Sequence, residues 1–141
     1  MDQCIVAEHS RGSIRRTGPG GRSLSLSNFV QKVTPSFAIF ANKLHNNGIR
    51  MAIATHSDAA EYNDIYRHPR DYIIGEELAS KVLEYSVREI MDSFYIVAYN
   101  PRARKNFNLE DANKKYHIRK IAKHYDVNYI YIYIYIYYSI I

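Results

Sequence analysis

Residues 49–54 read Ile-Arg-Met-Ala-Ile-Ala, and Thr55-His56-Ser57-Asp58 follow directly. A short apolar run that does not alternate with polar residues predicts a strand buried on both faces, and such strands belong to parallel sheets. Upstream, Thr34-Pro35 is a helix-start signature: Thr can cap free N–H groups and Pro suits the first turn. Phe37, Phe40, Ala41 and Leu44 then fall at helical spacing, and Asn46-Asn47-Gly48 stops the helix, with Gly48 suited to a left-handed cap. Downstream, 75–91 reads as a second helix with Leu78, Val82, Tyr85 and Ile90 inward. Residues 94–99 (FYIVAY) repeat the continuous apolar pattern, closed by Asn100-Pro101. Asn108 and Asp111 resemble a cap before a third helix over roughly 109–125, with Ala112, Tyr116, Ile121 and Tyr125 inward.

With 1–7 ending a first strand and 127–138 as a last one, strands alternate with helices. That order predicts an α/β fold: a Rossmann-like three-layer sandwich with a mostly parallel sheet, incomplete over this length. Ligands of such sheets bind outside the carboxyl ends of the strands.

The 141 residues amount to about one domain. At 47% hydrophobic and 23% charged the chain is ordinary globular material. One cysteine, Cys4, excludes an intramolecular disulfide framework. No run reaches the roughly 18 apolar residues that span a bilayer, and the first 30 lack a signal-like apolar core, so the expected location is cytoplasmic, with no membrane partner. The net charge of +5 is uneven: 58–92 hold nine acids against four bases, and 102–124 hold eight Lys/Arg against two acids. A third basic group is Arg11, Arg15, Arg16 and Arg22, within a polar, Gly-rich stretch (9–27) expected to be a flexible loop. The 102–124 patch suits phosphate, and equally a solvated helix face. It lacks the aromatic interleaving and the repeat spacing of a known nucleic-acid module, so no clear nucleic-acid partner is expected.

Residues 129–138 read YIYIYIYIYY. Both alternating residues are β formers and neither face is polar. The DNA repeat (TA)n encodes Tyr-Ile-Tyr-Ile in every forward frame, so 129–141 are expected to be a translated microsatellite joined to a domain over 1–128, with a genuine core strand as the alternative. Such a segment invites self-association.

At the strand ends, Thr55 and Ser57 offer hydroxyl and backbone donors to a phosphate oxygen, and they serve equally as a turn or cap. Asp2 stands near the N-terminus. Lys114 and Lys115, near the start of the third helix, are compact charges able to neutralise phosphate or simply to solubilise a surface.

Taken in order, HSRGSI (9–14), VTPSF (33–37), MAIATHSD (51–58), IIGEELA (73–79), IVAYNP (96–101) and NKKYHIRKIAKHYDV (113–127) resemble the haloacid dehalogenase-like (HAD) superfamily of phosphatases and phosphotransferases, in a divergent form typical of unicellular eukaryotes. In that family a first strand ends in Asp-x-Asp-x-(Thr/Val), a second in a phosphate-binding Thr or Ser, a Lys opens a later helix, and a further strand ends in magnesium-binding acids. The resemblance implies that Asp2 matches the second Asp, as general acid/base and magnesium ligand. Thr55 would bind the transferred phosphate with Ser57, and Lys114, with Lys115 as near alternative, would hold it. Asp2, Thr55 and Lys114 are thus the implied catalytic set. The nucleophile would precede Met1, Cys4 stands where Thr is usual, and the Tyr-Ile repeat occupies the place of the acidic pair. The expectation is a magnesium-dependent phosphatase fragment acting on an unidentified phosphorylated substrate and lacking turnover. The alternatives are a non-catalytic phosphate-binding module and a small basic nucleic-acid-binding protein.

The six His residues (9, 45, 56, 68, 117 and 124) show no zinc-ligand spacing. Gly18-Pro19-Gly20-Gly21 lacks the Gly-Lys-Ser/Thr ending of a phosphate loop.

Overall fold

A computed structural model of the chain describes residues 5–7, 13–16, 25–55, 71–98 and 115–127. The elements are β1 (Ser13–Arg15), α1 (Leu26–Val30), α2 (Pro35–Asn46), β2 (Met51–Thr55), β3 (Tyr72–Ile74), α3 (Gly75–Ser86), a 3-10 helix (Arg88–Ser93), β4 (Phe94–Ala98) and α4 (Lys115–Tyr125). The fold is mixed α/β.

The two apolar runs pair as the sequence predicts. β2 and β4 are parallel, with Met51 opposite Phe94 and Thr55 opposite Ala98. Alternation in register separates two faces. Met51 and Ile53 join Ala41 of α2, Ala79 and Leu83 of α3, Val87 and Ile90 in one core, with Phe94 and Ile96 packed against it. Tyr95 points the other way and meets α4, where His124 stacks on its ring at 3.7 Å. Helices therefore lie against both faces of the pair.

A second core departs from the expectation of a single, mostly parallel sheet. β1 and β3 form a separate antiparallel pair, Ser13 opposite Ile74 and Arg15 opposite Tyr72. Ile14 and Ile73 pack there with Val6, Phe29, Val30, Leu78 and Val82. The stretch 9–27, expected to be a loop throughout, thus contains a strand. A single apolar residue, Ile14, secures it by burial among residues distant in sequence. Of the first seven residues, 5–7 are described, and Val6 there forms an antiparallel bridge with Val33.

α3 is the wall between the cores. Leu78 and Val82 face the antiparallel one, and Ala79 and Leu83 face the parallel one. Tyr85, expected inward, is 57% exposed. The stripe it would extend ends at Val82, and burial passes to Leu83 and Val87 instead. The helix then stops at Ser86 and the 3-10 helix buries Ile90.

α2 closes as its sequence requires. Gly48 has φ +67°, its N–H donates to the His45 carbonyl (2.9 Å), and that of Ile49 donates to Leu44 (3.0 Å). This pair of bonds is the left-handed cap that glycine permits. At its start, the Thr34 hydroxyl does not cap the helix. It donates to the Ile5 carbonyl at 3.2 Å, as does the Thr34 N–H at 2.9 Å. The expected first part of the third helix (109–114) with its Asn108/Asp111 cap, and the 129–141 tail, lie outside the described residues. Among those described, no helix is long and apolar enough to cross a membrane.

Candidate functional site at the carboxyl rim of the parallel pair

Thr55 is the last residue of β2, so the phosphate-binding candidate stands at the strand end where α/β ligands bind. Its side chain is 6% exposed. Hydroxyl chemistry there would take place in a largely desolvated setting, where hydrogen bonds gain strength.

Two helices bring their N-termini to this rim. α3 begins at Gly75, where an added Cβ would lie 3.5 Å from the Ala98 Cβ, the residue paired with Thr55. Gly75 has φ +56°, which lets β3 turn directly into the helix.

α4 supplies the second, anchored at both ends of β2. His117 Nε2 lies 2.7 Å from the Thr55 carbonyl oxygen, and the Tyr125 hydroxyl donates to the Met51 carbonyl at 2.6 Å. The helix between the two side chains is roughly 12 Å long, and the strand between the two carbonyls roughly 13 Å. The lengths match, so α4 lies antiparallel along β2. Its first residue, Lys115, accordingly opens a helix whose N-terminal turn meets the Thr55 strand end.

His117, 1% exposed, is the residue that sequence reasoning missed as part of this rim. Its partner Thr55 lies 62 residues away, so the contact is a product of the tertiary arrangement. Among the ring contacts, Tyr116 meets His117 edge-on at 5.7 Å. Burial of the imidazole next to a carbonyl makes it a fixed wall of the rim, joining helix to strand end.

Of the other candidates, Asp2, Ser57 and Lys114 lie outside the described residues, as does Cys4, and Lys115 is placed by its backbone alone. The structure therefore brings together Thr55 and the helix start carrying Lys115, and adds His117. Magnesium takes oxygen ligands in octahedral array. Among the described residues no group of three or more His, Cys, Asp or Glu side chains converges to hold a metal. No protein-family profile matches the chain, and no curated protein or solved structure matches it significantly.

Proposed function

We propose that the chain is a phosphoryl-binding domain of HAD-like type, a partial Rossmann-like sandwich that takes a phosphorylated ligand in the cytoplasm. One observation carries this reading: the 2.7 Å contact of His117 with the Thr55 carbonyl, which brings the start of the lysine-bearing helix to the end of the threonine-bearing strand. A hydroxyl, backbone N–H groups and an adjacent ammonium form the donor set that a phosphate dianion requires. Within this reading Thr55 and Ser57 donate to phosphate oxygens, Lys114 or Lys115 balances charge, and Asp2 is the residual carboxylate.

Titration calorimetry with inorganic phosphate tests the reading. Binding is expected for the full chain, with loss of at least about tenfold in affinity in Thr55→Val, which keeps the side-chain shape and removes the hydroxyl donor. Equal binding by both chains, or none by either, refutes the site. Magnesium-dependent hydrolysis of p-nitrophenyl phosphate that disappears in Asp2→Ala would instead show an active phosphatase.

A further inference from the structure

The described charges of α3 with the 3-10 helix and those of α4 lie on opposite faces of the parallel pair. α3 and the 3-10 helix contain Glu76, Glu77, Glu84, Glu89 and Asp92. Two of the bases there are already engaged with Glu84, Lys81 at 2.7 Å and Arg88 at 3.4 Å. α4, against the other face, has four Lys/Arg in eleven residues and no acid. Arg119, Lys120, Lys123 and His124 are exposed, with Asp126, just past the helix end, the exposed counter-charge. A polyanion approaching the molecule is drawn to the α4 side and repelled by the α3 side.

Aromatic rings are interleaved with those charges in space, although not by sequence spacing. The Lys120 ammonium lies over the Tyr116 ring at 5.8 Å. His124 stacks on Tyr95 with 2° between ring planes, and Tyr125 meets the pair edge-on. Tyr95 comes from β4, so the platform exists only once the helix has docked. His124 is covered on one side by Tyr95 and remains exposed. A parallel, exposed ring stack beside ammonium groups is the arrangement on which unpaired bases stack while phosphates are neutralised. A membrane surface fits less well. Its binding helix needs large apolar side chains projecting outward, and among the described residues the large exposed apolar ones, Ile39, Ile49 and Tyr85, all lie off α4.

We propose that the outer face of α4 binds single-stranded nucleic acid, with Lys120 and Lys123 on the phosphates and the Tyr95–His124 stack receiving a base. This surface is separate from the phosphoryl site at the rim and uses neither Thr55 nor Lys114.

Fluorescence anisotropy of a labelled oligouridylate of about 20 nucleotides, a span longer than one such platform engages, tests it at salt from about 50 to 200 mM. The full chain binds, and the logarithm of its affinity falls linearly with that of salt. The double variant Lys120→Gln/Lys123→Gln binds at least about tenfold more weakly, with a slope shallower by roughly 1.4. His124→Ala loses at least about fivefold while keeping the slope, because it removes stacking and no phosphate contact. A duplex of equal length binds more weakly than the single strand. Thr55→Val leaves all of this unchanged, which separates failure here from failure of the phosphoryl site. The proposal is overturned if the lysine variants leave the slope unmoved, if the duplex binds as tightly, or if anionic phospholipid vesicles bind and the oligonucleotide does not. Circular dichroism of each variant verifies that these exposed substitutions leave the fold intact.

Discussion

The two cores on either side of α3 are built by different rules. The parallel core rests on two five-residue strands, each an unbroken apolar run, and on the helix that precedes the first. The antiparallel core rests on two three-residue strands, Ser-Ile-Arg and Tyr-Ile-Ile, each with one buried isoleucine, Ile14 or Ile73. The first advertises itself locally. The second exists because Phe29, Val6 and the Leu78/Val82 side of α3 converge on those two side chains. A strand of three residues carries almost no periodic signal, so its stability is tertiary from the outset.

α3 serves both cores, and truncations on its two sides test whether they fold as one unit. Phe29→Ala, in the antiparallel core, is expected to cost about 3–5 kcal/mol, and Leu83→Ala, in the parallel core, about 2–5 kcal/mol; both side chains are fully buried. Urea denaturation followed by circular dichroism should give one transition for each variant, shifted to lower midpoint, because α3 cannot lose one wall and keep the other. Two separated transitions in Phe29→Ala would show the antiparallel unit melting alone.

The second comparison is between the two ends of β2, which α4 grips through different side chains. His117→Ala removes a buried ring and its bond to the Thr55 carbonyl, and is expected to cost about 2–4 kcal/mol. Tyr125→Phe removes only a hydroxyl donor to Met51 and should cost about 1 kcal/mol. Native-state hydrogen exchange sharpens the contrast. His117→Ala should raise exchange at the N-terminal turn of α4 most, and Tyr125→Phe at its last turn. Equal exchange along the helix in both variants would mean that α4 docks as a rigid rod with no local grip.

Tyr125 also adds a pH signature. Burial raises its phenol pKa above the ordinary 10.0, with backbone hydrogen bonding and the charge of Arg50 opposing. The neutral form is thus favoured in the folded state. Its contribution is full below pH 10 and declines as pH rises toward the folded value. The stability difference between wild type and Tyr125→Phe, measured by thermal melts from pH 8 to 11, should therefore narrow at the alkaline end.

The legible part of the molecule follows the same division. IRMAIA and FYIVAY announced β2 and β4 and their parallel pairing, and Thr34-Pro35 with Gly48 bounded α2 within a residue. Thr55 at the strand end was legible because continuous apolar runs end where polar residues begin. The antiparallel pair was not, since SIR and YII each hold too few residues to show a period. Thr34 was read as a cap because that is the local preference of threonine, yet the Ile5 carbonyl, 29 residues away, receives its hydroxyl. His117 escaped notice as a rim residue for the same reason. Its partner, Thr55, is 62 residues distant, and no local pattern encodes that contact. The Tyr95–His124 platform likewise joins a strand to a helix that follows it only after a long connection.

The smallest expected effect lies where the antiparallel core meets the start of α3. Arg16, directly after β1, donates to Glu77 through both terminal guanidinium nitrogens, one of them at 2.6 Å. This hydrogen bonding, reinforced by the charges of Arg16 and Lys81 and opposed by partial burial, holds the Glu77 carboxyl below its ordinary 4.5. Glu77 also stands in the first turn of α3, where a negative charge complements the exposed N–H groups. The folded pKa is depressed, so the contribution is complete above pH 4.5 and is lost as pH falls through the folded value. Both side chains are about a third or more exposed, so solvent screening keeps the effect small. Glu77→Gln should lower the melting temperature slightly at pH 7, and the gap to wild type should close by pH 3. It should also close in high salt, which screens the pair. A gap that persists at pH 3 would mean that the substitution acts through packing at the β1–α3 junction. The link between the antiparallel core and the shared helix would then be steric, with the ion pair only marking the place.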